Sequence, residues 1–98
     1  MNIKYHFKIH QEGKGYWAEC LEMDGALTQG DSWEHLQEMM RDCLVCMVEG
    51  QLDSGFLPPL PGPVWWDKKE RVEEVPLSDE ASAELIDKYR QTLSSYQL

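Results

Sequence analysis

The stretch GALTQGDSWEHLQEMM, residues 25–40, constrains the fold more than any other part of the chain. Its apolar spacing changes from the period of a strand to that of a helix with no linker between the two. ALTQG reads as a short strand, preceded by the polar turn EMDG, in which Gly25 is free to take a positive φ. Asp31 followed by Glu34 has capping-box spacing: the Asp side chain can accept from the third-position N–H and Glu34 can reach back. Glu34 also suits the positive end of the helix dipole. Trp33, Leu36, Met40, Cys43, Leu44, Met47 and Val48 then recur at three- and four-residue spacing, which makes one apolar stripe. Met39, Met40 and Met47 could line an adaptable binding groove, but core packing against a sheet is the favoured role. Gly50 is placed to end the helix. The passage therefore predicts a strand that hands over directly to the helix covering it.

The flanking segments supply the rest of the sheet. IKYHFKIH alternates strictly, with Ile3, Tyr5, Phe7 and Ile9 on one face and Lys4, His6, Lys8 and His10 on the other. His6 and His10 could ligate a metal, but the lysines between them favour a solvated face. QEGKG reads as a hairpin loop and YWAECL as a second strand, so the first thirty residues or so form an antiparallel meander. After the helix the character changes. The loop of about residues 51–69 holds four of the five prolines, interleaved with Phe56, Trp65 and Trp66. Prolines at that density block both helix and central strand, and a loop so long in a small domain is often functional. Its aromatics either cap the open side of the core or form an exposed surface that awaits a partner. ERVEEVPL reads as a charged edge strand. SDEASAELIDKYRQTLSSY reads as a C-terminal helix over about 78–96, with Ser78 as N-cap and Leu85, Ile86, Tyr89, Leu93 and Tyr96 in helical phase. The order β-β-β-α-β-α is that of an α+β fold with helices on one sheet face, in a single domain spanning 1–98.

Little in the chain suggests catalysis. There is no Gly-rich phosphate loop, no nucleophile elbow and no matched pair of metal-ligand motifs. Cys43 and Cys46 have half-zinc-site spacing, but no second pair follows at finger or ribbon distance and both fall on the helix. Glu19, Asp24 and Asp31 are the candidates for a convergent acidic site, yet surface or capping roles are favoured for each. His35 is expected to be solvated. The expectation is a non-enzyme with no cofactor and no metal. Eighteen acidic residues against nine basic ones give a net charge of −9, which opposes direct nucleic-acid binding and suits a basic partner, although acidity alone more often serves only solubility. An odd number of cysteines and the absence of a leader-like or roughly 18-residue apolar segment suggest a cytoplasmic protein.

The segment GYWAECLEMDGALTQGDSWEHLQEMMRDCLVCMVE resembles the HicB family of antitoxin-like proteins. The resemblance is carried by Gly15-Tyr16 opening a strand with Ala18 behind it, by Gly25, and by Thr28-Gln29-Gly30-Asp31-Ser32 with Glu34 opening the helix. It covers about residues 5–49, with a weaker echo in RVEEVPL. It departs from many relatives at Leu21-Glu22-Met23-Asp24-Gly25-Ala26, where they have a Pro-Asp-Leu-Pro-Gly-Cys-like turn. The resemblance implies a partial ribonuclease H-like fold, an antitoxin role and a small basic RNA-cleaving toxin of the HicA kind as partner. Many relatives also carry a C-terminal DNA-binding module. Here a strand and one helix with Asp79, Glu80 and Glu84 in its first turns follow Glu70, so DNA binding is not expected. A homodimer or higher homo-oligomer is expected, with Phe56, Trp65 and Trp66 as the partner-interface candidates. The alternative is a stand-alone, non-catalytic homodimer with a regulatory role.

Overall fold

A computed structural model of the chain describes residues 3–95. Six elements follow in the order β1 (Lys4–Glu12), β2 (Gly15–Cys20), β3 (Leu27–Gly30), α1 (Trp33–Asp53), β4 (Arg71–Pro76) and α2 (Asp79–Ser95). The strands form one sheet of order β3-β2-β1-β4 with every neighbouring pair antiparallel. The α+β architecture and the meander agree with the expectation from sequence.

Alternation along β1 decides which face is inside. Tyr5, Phe7 and Ile9 are buried, and their cross-strand neighbours Cys20, Ala18 and Val75 join the same core. Leu36, Met40, Leu44 and Val48, four residues apart along α1, are each fully buried against them. Trp33, Cys43 and Met47 flank that row half-buried, as the stripe predicted. Ala81 and Leu85 of α2 enter the same cluster, so both helices cover one face of the sheet. Burying these four α1 side chains contributes about 1.5–3 kcal/mol each, which is why α1 cannot be displaced cheaply.

The junction between β3 and α1 is a close backbone approach. Gly30 is buried at the end of β3, and a Cβ there would lie 2.5 Å from the Leu36 nitrogen and 2.7 Å from its Cα. Only glycine lets the strand end beneath the first turn of α1. The cap itself differs from the expected one. Ser32, not Asp31, is the N-cap, its hydroxyl accepting from His35 N–H at 3.1 Å. The reach-back group is the His35 ring, whose Nδ1 accepts from Asp31 N–H at 3.1 Å, so His35 is exposed but engaged. Moving the cap by one residue lets the shorter serine side chain reach the third-position N–H.

The other boundaries also shift. Gly50 does not end α1, which continues to Asp53. The helix stops in a Schellman arrangement, with Phe56 N–H bonded to Gln51 O at 2.8 Å, Gly55 N–H to Leu52 O at 3.1 Å, and Gly55 at φ +83°. The loop accordingly begins at Ser54 rather than near residue 51. Ser78 caps α2 as expected, accepting from Ala81 N–H at 3.2 Å. Leu93 keeps the helical phase but is 61% exposed. Tyr96 lies outside the described residues. Among the described residues no helix is long and apolar enough to cross a membrane.

Candidate protein-binding surface

The proline-rich loop leaves α1 at Gly55 and re-enters the sheet at Arg71. Four prolines within residues 58–63 supply carbonyls but no N–H groups, so this backbone cannot join a ladder. Side chains from the core fix it instead. Pro58 is fully buried, and the Tyr89 hydroxyl donates to its carbonyl at 2.6 Å. The Tyr5 hydroxyl donates to the next carbonyl, that of Pro59, at 2.8 Å. Burial, with Tyr89 close by, raises the Tyr5 phenol well above the usual tyrosine range, so this donor keeps its proton.

The far end of the loop is fixed on the opposite sheet face. Trp66 lies with its ring 5.5 Å from the His6 ring, centroid to centroid. His6 is held by Glu22, whose Oε2 is 2.7 Å from His6 Nδ1 and whose Oε1 accepts the His6 backbone N–H at 2.9 Å. The Glu22 side chain is 3% exposed. Beyond Trp66, Asp67 closes a turn by accepting from Lys69 N–H and Glu70 N–H, and Glu70 pairs with Lys8 at 2.7 Å. The face expected to be simply solvated is thus a set of half-buried pairs. His10 belongs to it as well, stacked on Trp17 at 3.9 Å and 3.2 Å from Glu19.

Around these two fastenings the loop turns apolar side chains outward. Phe56 is 69% and Trp65 84% exposed, while Leu57, Leu60 and Trp66 are partly exposed. Phe56 and Leu57 border an open cleft of about 300 Å³ against α2, with Lys88 and Thr92 on its other wall. Leu60 and Pro61 border another of about 370 Å³ beside Ile3, His6 and Glu74. Of the two readings open in the sequence, Phe56 and Trp65 do not cap this chain's own core. Trp66 is intermediate, since one side of it meets His6. The tyrosine fastenings and the Glu22–His6 pair escaped sequence reasoning. Their one available signal was that a tyrosine in a core-facing position needs a partner for its hydroxyl.

The other chemical candidates do not converge. Glu19 sits on the outer sheet face with His10, Asp24 is exposed in the turn before β3, and Asp31 is exposed past its other end. Among the described residues no group of three or more His, Cys, Asp or Glu side chains could hold a metal. Cys20 is buried, Cys43 half-buried and Cys46 exposed, all as free thiols.

No protein-family model matches the chain. It is 37% identical over 79 residues to Antitoxin HicB 1 of Photorhabdus laumondii, a match that spans 79% of this chain and 48% of that protein. The chain thus covers about half the length of this curated relative. Its fold matches a chain in the structure of a HicA3 and HicB3 toxin-antitoxin complex with a TM-score of 0.61, at 17% identity, over 76% of this chain and 98% of that one. The resemblance is HicB-like in sequence and is joined by a shared fold.

Proposed function

From that HicB-like resemblance, we propose that the chain acts as an antitoxin: it binds a small basic RNA-cleaving toxin of the HicA kind and blocks its active site by direct contact. The observation that carries this reading is the loop of residues 54–70. It offers Phe56, Leu60 and Trp65 to solvent although its backbone is fastened to Tyr5 and Tyr89 and its Trp66 ring rests beside His6. A surface that is exposed yet held lowers the ordering cost of association. Aromatic side chains supply most of the energy at such interfaces. The net charge of −9 supports steering toward a basic partner, with an on-rate that falls as salt rises. The role needs no catalysis, no cofactor and no direct contact with nucleic acid.

Co-expression with the product of an adjacent gene for a small basic toxin is the direct test. The expected result is a purified complex and restored growth. Trp65→Ala should weaken binding by about 2 kcal/mol, roughly thirtyfold. Its own stability should stay within about 0.5 kcal/mol of wild type, because the side chain is 84% exposed. Trp66→Ala should lower both binding and stability, given its contact with His6. Growth arrest that co-expression does not relieve would overturn the reading, as would a complex indifferent to Phe56, Trp65 and Trp66.

A further inference from the structure

The sheet has two edges, and they are built differently. The β4 edge carries the Arg71–Glu73 ion pair and ends at Pro76, the usual devices that discourage strand addition. The β3 edge, Leu27-Thr28-Gln29-Gly30, has neither charge nor proline. Its hydrogen-bonding phase follows from one bond: Cys20 N–H donates to Ala26 O at 2.9 Å, and continuing the β2–β3 register one residue past Glu19 and Leu27 sets these two opposite each other. Ladder bonds then alternate along an antiparallel pair, so Thr28 and Gly30 bond inward to Ala18 and Tyr16. Leu27 and Gln29 occupy the non-bonded pairs, and their backbone groups face away from the sheet. Leu27 N–H is turned back to Gly25 O at 3.1 Å, and Leu27 O has only the Cys43 thiol, at 4.0 Å. The Gln29 N–H and C=O remain as an outward donor and acceptor.

This edge borders an open cleft of about 630 Å³ lined by Glu12, Trp17, Leu27, Thr28, Gln29 and Met39. Leu27 is 61% exposed there, and Trp17 and Met39 are half-buried beside it. The surroundings are acidic. Glu12 lines the cleft and Asp31 follows Gly30. Helical spacing puts Asp42, three residues on, on the side of α1 that carries Met39. Arg41 lies on the opposite side of the helix, in a cleft against β4. Of the basic residues, Lys14 lies in the turn before β2, and Lys8, in register with Leu27 across Glu19, is paired with Glu70 at 2.7 Å.

We propose that β3 is a strand-addition site: an extended, lysine- or arginine-bearing segment of a partner protein pairs with Leu27–Gly30 as a fifth strand. Backbone bonds to Gln29 supply the register, an apolar side chain of the added strand covers the Leu27–Trp17–Met39 cleft, and flanking basic residues meet Glu12, Asp31 and Asp42. A second copy of this chain fits poorly, because β3–β3 pairing would bring the same carboxylates together. The site is separate from the aromatic loop and does not depend on the toxin reading.

The test uses the whole chain and a synthetic peptide of alternating valine and lysine, followed by backbone amide NMR. Shifts and exchange protection are expected at Leu27 and Gln29, with binding weakened by salt and absent for an alternating valine-glutamate peptide. Gln29→Pro removes the outward N–H but no ladder bond, as prolines on sheet edges do, and should weaken the peptide by about tenfold or more. Trp65→Ala should leave the peptide affinity unchanged. Peptide shifts confined to residues 54–70, binding indifferent to Gln29→Pro, or Gln29 already protected by self-association without peptide would each overturn the proposal. Toxin co-expression is read separately, so failure of either idea leaves the other standing.

Discussion

Replacing Gly30 by alanine tests the handover from β3 to α1 at its tightest point. The added methyl carbon would stand 2.5 Å from Leu36 N, 2.7 Å from Leu36 Cα and 3.1 Å from the carbonyl carbon of His35. Ordinary carbon contacts are about 3.5–4.0 Å, so the first turn of α1 must retreat by about 1 Å. All three atoms are backbone, and no rotamer change relieves the overlap. Overpacking of this kind costs about 1–3 kcal/mol. The retreat also strains the first helical bond, Leu36 N–H to Ser32 O at 2.9 Å, whose loss adds about 1 kcal/mol. Together these give about 3 kcal/mol, or a fall in Tm of roughly 10–25 °C for a chain of this size. Urea denaturation followed by far-UV circular dichroism reads the change directly. Gly50→Ala is the matched control: Gly50 lies inside α1 with open space around it, so alanine there should stabilise by up to about 1 kcal/mol. A Gly30→Ala protein within about 0.5 kcal/mol of wild type would refute the close-approach argument.

Three further outcomes are expected. Tyr89→Phe strips the Pro58 carbonyl of its donor at a buried position, so stability should fall by about 1–3 kcal/mol and the loop should exchange amide protons faster; equal exchange in both proteins would refute the fastening role. Burial pushes the Cys20 thiol from 9.0 up to about 11. The unfolded chain therefore loses that proton first as pH rises, and stability should be intact below about pH 9 and decline toward about pH 11 by up to about 1.4 kcal/mol per pH unit. The decline should be shallower in Cys20→Ala, measured as the urea midpoint against pH; identical slopes would count against it. Toward a thiol reagent, the exposed Cys46 should react first, ahead of Cys43, whose pKa burial raises, and of buried Cys20; simultaneous labelling in the native protein would contradict the burial order.

The sequence by itself determined the elements and their inward faces. Alternation in β1 selected Tyr5, Phe7 and Ile9, and three-four spacing selected Leu36, Met40, Leu44 and Val48, because these periods are properties of the local backbone and need no partner to be read. It also marked Phe56, Trp65 and Trp66 as unusual in a proline-rich segment, and the HicB-like resemblance was legible in the strand-to-helix passage. Tertiary structure alone decided the rest. The cap moved from Asp31 to Ser32 and the helix end from Gly50 to the Gly55 turn, since capping depends on which side chain and which positive-φ residue meet the last free backbone groups. The necessity of Gly30 arises from an atom of Leu36 six residues ahead, and the fate of the loop from two tyrosine hydroxyls 31 and 54 residues away. The outward phase of Gln29 comes likewise from a bond between Cys20 and Ala26. Each is a contact between segments that periodicity treats independently, and it comes into existence only when the chain has closed on itself.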